Sequence, residues 1–246
     1  ETTDDLIPPF SYAKGGFSVG WGSAVLPPDD CDLQAWPIKR IHLEPYFKKA
    51  LKGIPYSALV DGLSPHFPIY SDNINPLELT KGNTQLLQDI NKSNIQEQEE
   101  VFFGQSRLLV RSKDNENALG CKKCGYCMSG CVYDCIYKSN QDIDTMVSHG
   151  SIDYIRGIIV YSLEEVDNKV EIFIIDKDNN HETLIVDRVF VGAGAVGSAR
   201  IVLQSKKLYN HDVRLQSTVA FIAPMLRMKK LQVDLPNVNT LPGIFL

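Results

Sequence analysis

Three groups of residues in this chain have the types and spacing to do chemistry, and the first is a run of thiols. Five of the six cysteines fall between positions 121 and 135: Cys121, Cys124, Cys127, Cys131 and Cys135. A disulfide framework spreads its cysteines to staple distant loops, and partners three residues apart are badly placed for several mutual bridges. The spacing C-x2-C-x2-C-x3-C over Cys121, Cys124, Cys127 and Cys131 is one that brings thiolates to an iron–sulfur cluster. Val132 stands where the bacterial version of that run ends in Pro, and there is no second copy of the motif. Two readings stand side by side: a metal or iron–sulfur site on these four thiols, or a set of structural, partly buried thiols with at most a local disulfide. Clustered thiols favour a reducing compartment, so a cytoplasmic location is expected. Cys31 stands alone and reads as a buried, inert thiol.

The second group is Gly192-Ala193-Gly194-Ala195-Val196-Gly197, between Val189-Phe190-Val191 and Ser198-Ala199-Arg200. It satisfies G-x-G-x-x-G in a strand–turn–helix setting, where glycines admit a ligand to the backbone and a helix N-terminus offers N–H groups to an anion. An opening dinucleotide unit needs a second strand and a ribose-binding acid after it. Asp212 is at about the right distance but lies among Tyr209-Asn210-His211 and Val213-Arg214, which do not read as a buried strand end. The motif is therefore expected to be a later strand–helix junction of a dinucleotide fold, the alternative being a βα turn without a ligand. The third group is Gly15-Gly16-Phe17-Ser18-Val19-Gly20-Trp21-Gly22, whose glycines mark backbone at positive φ or in close approach. None of His42, His66, His149, His181 and His211 sits in a catalytic context; each reads as a surface or satisfied histidine.

The elements that must carry these groups are readable in outline. His42 to Leu51 reads as a short amphipathic helix with Pro45 near its first turn and Gly53 as its stop. Residues 53–76 are proline-rich and irregular. Leu86, Leu87, Ile90 and Ile95 give helical spacing over Thr84 to Gln98. Val101 to Arg111 reads as one strand or two half-strands, and Asp142 to His149 as a short helix. From Ile152 the pattern turns to β: Ile158–Tyr161, Val170–Ile175, a turn at Asp178-Asn179-Asn180, then Leu184–Val191 leading to the glycine motif and a helix over Ser198–Ser205. A mixed α/β fold follows, with a β-meander beside a Rossmann-like strand–helix and an irregular cysteine-containing region.

Composition sets the outer limits. The chain has 246 residues, 43% of them hydrophobic and 22% charged, which excludes collagen, coiled coil and wholesale disorder. A net charge of −5 provides no basic field for nucleic acid. No apolar run approaches a membrane span. The first residues, Glu1-Thr2-Thr3-Asp4-Asp5, show neither an initiator Met nor a signal-peptide pattern, so the chain is expected to be trimmed or cut from something longer.

Taken together, three pieces resemble the glucose–methanol–choline family of flavin-dependent oxidoreductases, particularly its bacterial branch. Gly15 to Pro27 resembles that branch's G-G-x-S-x-x-W-G-x-x-x-L-P flavin loop, continued by Trp36-Pro37-Ile38 and Leu43-Glu44-Pro45-Tyr46-Phe47. Phe103-Gly104-Gln105-Ser106-Arg107, then Cys124-Gly125-Tyr126-Cys127-Met128-Ser129-Gly130-Cys131 and Ile136-Tyr137-Lys138-Ser139, is similar to the family's C-G-x-C-x-x-G-C…I-Y-x-S segment. Asp187 to Arg200 resembles its D-x-V-x-x-A-A-G-A-x-x-S/T-x-R return to the flavin.

The resemblance implies FAD as cofactor and oxidation of an alcohol or sugar CH–OH group, with an electron acceptor the sequence does not name. It implies cofactor contacts at Gly15, Gly16, Ser18, Trp21 and Gly22, at Val160 near the adenine, and at Ala193, Gly194 and Ala195. Trp21 serves equally as plain core. The implied organisation is a flavin-loop part over 1–52, a cap over 53–150, a return to the FAD-binding domain over 151–210 and the start of a substrate domain over 211–246. The family's first G-x-G-x-x-G and its C-terminal catalytic histidine have no counterpart here. The chain is thus expected to be an internal segment, inactive alone and a poor FAD binder. The rival expectations are an electron-transfer or metal protein built on the cysteine loop, and a non-catalytic remnant.

Overall fold

The structure, a computed structural model, describes residues 11–93, 101–214 and 238–245. Its elements are helices α1 (Arg40–Leu51), α2 (Lys81–Lys92), α3 (Ser139–Ser148) and α4 (Gly194–Ser205), and strands β1 (Gly104–Gln105), β2 (Ile158–Val166), β3 (Lys169–Asp176), β4 (His181–Val186) and β5 (Ile244–Phe245). Single 3-10 turns lie at Gly16–Gly20 and Cys127–Ser129. The fold is mixed α/β with two small antiparallel sheets. The chain divides into two compact units, one of residues 1–16 and 141–225, the other of residues 17–140 and 226–246.

In the unit containing residues 141–225, β2, β3 and β4 form a meander in that order. Asp167 and Asn168 join β2 to β3 with φ of 49° and 63°, the doubly left-handed conformation that matches the twist of a tight hairpin. The second turn is held by Asp176, whose carboxylate accepts the N–H groups of Asp178 and Asn180 and the Asn180 side-chain amide. Helix α4 is tied to β2 by Ser205, whose hydroxyl accepts the Leu163 N–H at 2.8 Å and donates to the Ile201 carbonyl. The expected strand over 189–191 is not a strand. β4 ends at Val186, and Phe190 is 92% exposed. A strand exists only where its N–H and C=O groups find a ladder, and among the described residues none lies alongside 188–191.

The other unit is organised around an extended plank, residues 104–111. β1 pairs with β5, Gly104 opposite Phe245 and Gln105 opposite Ile244. Beyond it, Leu108 bridges to both Ala24 and Ser57, and Val110 to Ile136. The period-2 alternation of an extended chain then decides the packing. Leu108 and Val110 enter a buried cluster with Leu77, Cys135, Ile136 and Leu241, while Leu109 enters a second with Tyr56 and Ala58. Helix α2 starts three residues earlier than its apolar spacing suggests, because the Thr80 hydroxyl caps the Asn83 N–H at 3.1 Å. It ends at Lys92, and the remainder of the expected helix, from residue 94, lies outside the described residues. So does most of the expected substrate-domain segment 211–246.

Candidate functional site

The cysteine loop hangs from the plank. The Cys121 N–H donates to the Arg111 carbonyl and the Arg111 N–H to the Cys135 carbonyl, each at 2.9 Å. All six cysteines are free thiols; Cys135 is buried at 1% exposure, whereas Cys31, expected to be buried, is exposed, because the turn over residues 30–35 that carries it lies at the surface. Cys121, Cys127 and Cys131 pack against the cluster formed by Leu108, Val110 and Ile136. Cys124 instead sits where the chain bridges to Val238. The Cys135 N–H donates to Cys131 Sγ at 3.4 Å, and its thiol donates to the Leu119 carbonyl at 3.4 Å.

The thiols differ electrostatically. Burial pushes Cys121 up, reinforced by its cysteine neighbours and opposed by the Lys123 N–H. Burial also works against a charged Cys131, but N–H groups of Cys135, Tyr133 and Ile136 and the Cys135 side chain outweigh it, so Cys131 is lowered. Burial, followed by the charge on Cys131, pushes Cys135 up to about 12. Among the described residues no three His, Cys, Asp or Glu side chains converge closely enough to hold an ion.

The glycine-rich loop meets the end of the cysteine segment. Trp21 Nε1 donates to the Tyr137 carbonyl at 2.8 Å. The Ser139 N–H donates to Ser18 Oγ at 3.0 Å, and the two hydroxyl oxygens lie 2.8 Å apart. Ser18, Trp21 and Gly22 are thus in one unit with the cysteines, brought beside residues 137–139. Trp21 also packs against both buried clusters, as its core reading requires.

The other expected contacts lie in the unit containing 141–225. Gly15 and Gly16 have φ of 89° and 57°, and a Cβ at Gly16 would meet nothing within 4 Å. Gly194, at φ 74° with equally open space, begins α4, and Ala193 stands at its N-cap. Ser198 Oγ accepts the Ala193 N–H at 3.2 Å, so one donor of this turn is satisfied internally. Val160 pairs with Ile174, and the register slips immediately after it.

Two polar networks escaped sequence reasoning. Arg107 is fully buried, with Nη2 3.2 Å from both Asp61 Oδ1 and Ser64 Oγ and Nη1 3.2 Å from the Gln105 carbonyl. Asp61 Oδ2 accepts the Gln105 N–H at 2.7 Å, and a Cβ on Gly104 would stand 2.4 Å from that oxygen. In the second, Asp29 lies 2.9 Å from His66 Nδ1 and 3.2 Å from Arg40 Nη1, and Arg40 also donates to the His66 carbonyl. The partners are 46 and 37 residues apart, and no local spacing announces such pairs. Only the match of an unpaired acid to an unpaired base, at unknown separation, was there to be found.

No protein-family model matches the chain, and no curated protein matches it. No helix among the described residues is long and apolar enough to cross a membrane.

Proposed function

We propose that the chain supplies the flavin loop, the substrate-side region and the return strand–helix of an FAD-dependent oxidoreductase that oxidises an alcohol or sugar CH–OH group. The observation that carries this reading is the joining of Ser18 to Ser139 and Trp21 to the Tyr137 carbonyl. Two motif segments more than a hundred residues apart meet, although neither needs the other for local folding. The residues also fit the cofactor in kind. Gly16 and Gly194 are left-handed with open space over them, which lets a phosphate or ribityl chain reach the backbone.

FAD, when bound, accepts the hydride leaving the carbinol carbon. This chain's share is holding and orienting. Gly15, Gly16 and Ser18 would face the phosphates or ribityl chain, Trp21 and Gly22 the ring, Val160 the adenine, and Ala193, Gly194 and Ala195 would supply the small-residue turn. No histidine of this chain is assigned the carbinol proton, so the purified chain is expected to turn nothing over. The free thiols suit a cytoplasmic setting.

The test is the visible spectrum of the full chain after incubation with FAD and gel filtration. A flavin spectrum that stays with the protein and weakens in Gly16→Val and Gly194→Val supports the contacts. A flavin retained equally by both variants overturns them. No retained flavin is the outcome expected of a segment that binds FAD poorly; the contacts then stand or fall on whether FAD in excess protects Gly16 and Gly194 amides from hydrogen exchange.

A second reading concerns the loop. Cys121, Cys127 and Cys131 are free and pack against one buried cluster, but among the described residues no three such side chains converge closely enough to hold an ion, which favours structural thiols over an iron–sulfur cluster there. Anaerobic reconstitution with ferrous iron and sulfide, read by acid-labile sulfide and absorption near 400 nm, tests this; sulfide retained with the protein would overturn the structural-thiol reading.

A further inference from the structure

Residues 131–135 fold the chain back on itself. The Asp134 N–H closes a tight turn onto the Cys131 carbonyl at 3.1 Å, with Asp134 in the left-handed region at φ 49°. The turn delivers the next residue to the side chain that began it. The Cys135 N–H donates to Cys131 Sγ at 3.4 Å, and the two thiol side chains hydrogen-bond to one another. N–H groups of Tyr133 and Ile136 are directed at the same sulfur. Donors gathered in this way stabilise an anion, and the thiolate is the form of cysteine that reacts.

Position separates the two thiols. Cys131 is half-buried, and the residues that follow it, Val132 and Tyr133, are exposed. Cys135 is buried against Leu108, Val110 and Ile136, closed to a solute but not to the Cys131 sulfur. An accessible thiol that N–H groups favour as the anion, with a second thiol held against it, is the arrangement in which oxidation is caught as a disulfide.

We propose that Cys131 and Cys135 are a reversible redox site for hydroperoxides, in which Cys131 attacks the oxidant and Cys135 resolves the product as an intramolecular disulfide. Two thiols suffice, so the site asks for neither a metal nor the flavin. In the first step the Cys131 thiolate attacks the terminal oxygen of the hydroperoxide. The O–O bond breaks and an S–O bond forms, leaving a sulfenic acid; the alkoxide or hydroxide released takes the proton that Cys131 gave up. In the second step the Cys135 sulfur attacks the Cys131 sulfur and the S–O bond breaks. The departing hydroxide takes the Cys135 proton and leaves as water. The thiol pair is oxidised by two electrons, and the hydroperoxide is reduced by the same two. The proton lost from Cys135 is the one that now faces the Leu119 carbonyl, so closing the bridge also releases Cys135 from the incoming arm of the loop.

The experiment treats the reduced full chain with equimolar hydrogen peroxide. Free thiols are counted after denaturation, and bridged peptides are identified by mass spectrometry. The expected result is loss of a pair of thiols per chain, a Cys131–Cys135 bridge, and return of both thiols with dithiothreitol. Cys131→Ser should abolish that loss. Cys135→Ala should stop the reaction at a sulfenic acid on Cys131, trapped by dimedone. Any other bridge in place of this one, the same thiol loss in Cys131→Ser, or no reaction of the wild type overturns the proposal. Should Cys135→Ala fail to fold, the assignment of the wild-type bridge and the Cys131→Ser comparison decide by themselves.

Discussion

Arg107 shows how much a single side chain carries. A guanidinium with no exposed surface is tolerable only because Asp61 neutralises it and Ser64 and the Gln105 carbonyl accept its protons. Removing the acid alone leaves an uncompensated buried charge, so Asp61→Ala should cost about 3–5 kcal/mol in denaturant unfolding. Asp29 adds a pH dependence. Its bond to His66, then the Asp30 N–H and the charges of His66 and Arg40, hold its carboxyl below the ordinary carboxylate value. A lowered acid stabilises the fold above its unfolded pKa and ceases to do so as pH falls through the folded one. Asp29→Asn should accordingly be less stable than wild type at pH 6, with the difference shrinking below about pH 4; thermal midpoints across that range check it. Cys135 has the opposite sign. Its neutral thiol is favoured in the fold, so that contribution is complete below an unfolded value near 9 and is lost toward about 12. None of these pairings was visible in the sequence, because each is made by residues that only tertiary structure brings together. The cysteine spacing, by contrast, was visible at once, yet it could not say that Arg111 ties the loop's two arms.

At the scale of elements, local chemistry was legible wherever it is local in fact. The apolar spacing located α2, the amphipathic stretch read with Pro45 near its first turn located α1, the glycine motif located α4, and β-branched runs located the meander. Boundaries moved where a single side chain decides them. Thr80 caps α2 ahead of its apolar stripe, and Thr80→Ala should lower stability by about 1 kcal/mol. The turn at Asp167-Asn168 carried a weaker signal than an Asn-Gly pair, though both residues tolerate the left-handed region. Asn168→Gly should leave the hairpin intact or stabilise it slightly. Asn168→Val, which must put a β-branched residue at φ 63°, should destabilise it by about 1–2 kcal/mol. Thermal unfolding of the two variants distinguishes these outcomes.

For the whole molecule, sequence and structure part at residues 189–191. Three consecutive apolar residues before a glycine turn have the grammar of a buried strand, but burial is a property of neighbours. With Phe190 92% exposed, Phe190→Ser should change stability by no more than about 0.5 kcal/mol, whereas a core phenylalanine would cost about 3–5 kcal/mol; a denaturant melt of the full chain decides between the two. The plank at 104–111 was legible only as a strand or two half-strands, because the pattern does not state which partners arrive. Those partners come from residues 24, 57 and 136 and from the last segment of the chain, where Ser106 bonds the Pro242 carbonyl across a separation of 136 residues. Closing so long a loop is entropically slow before any contact rewards it. During synthesis the plank therefore emerges well before the strand that completes β1. Until residues 242–245 leave the ribosome, β1 lacks its strand partner, although the Gln105 N–H is already held by Asp61, and the open edge is of the kind that invites mispairing.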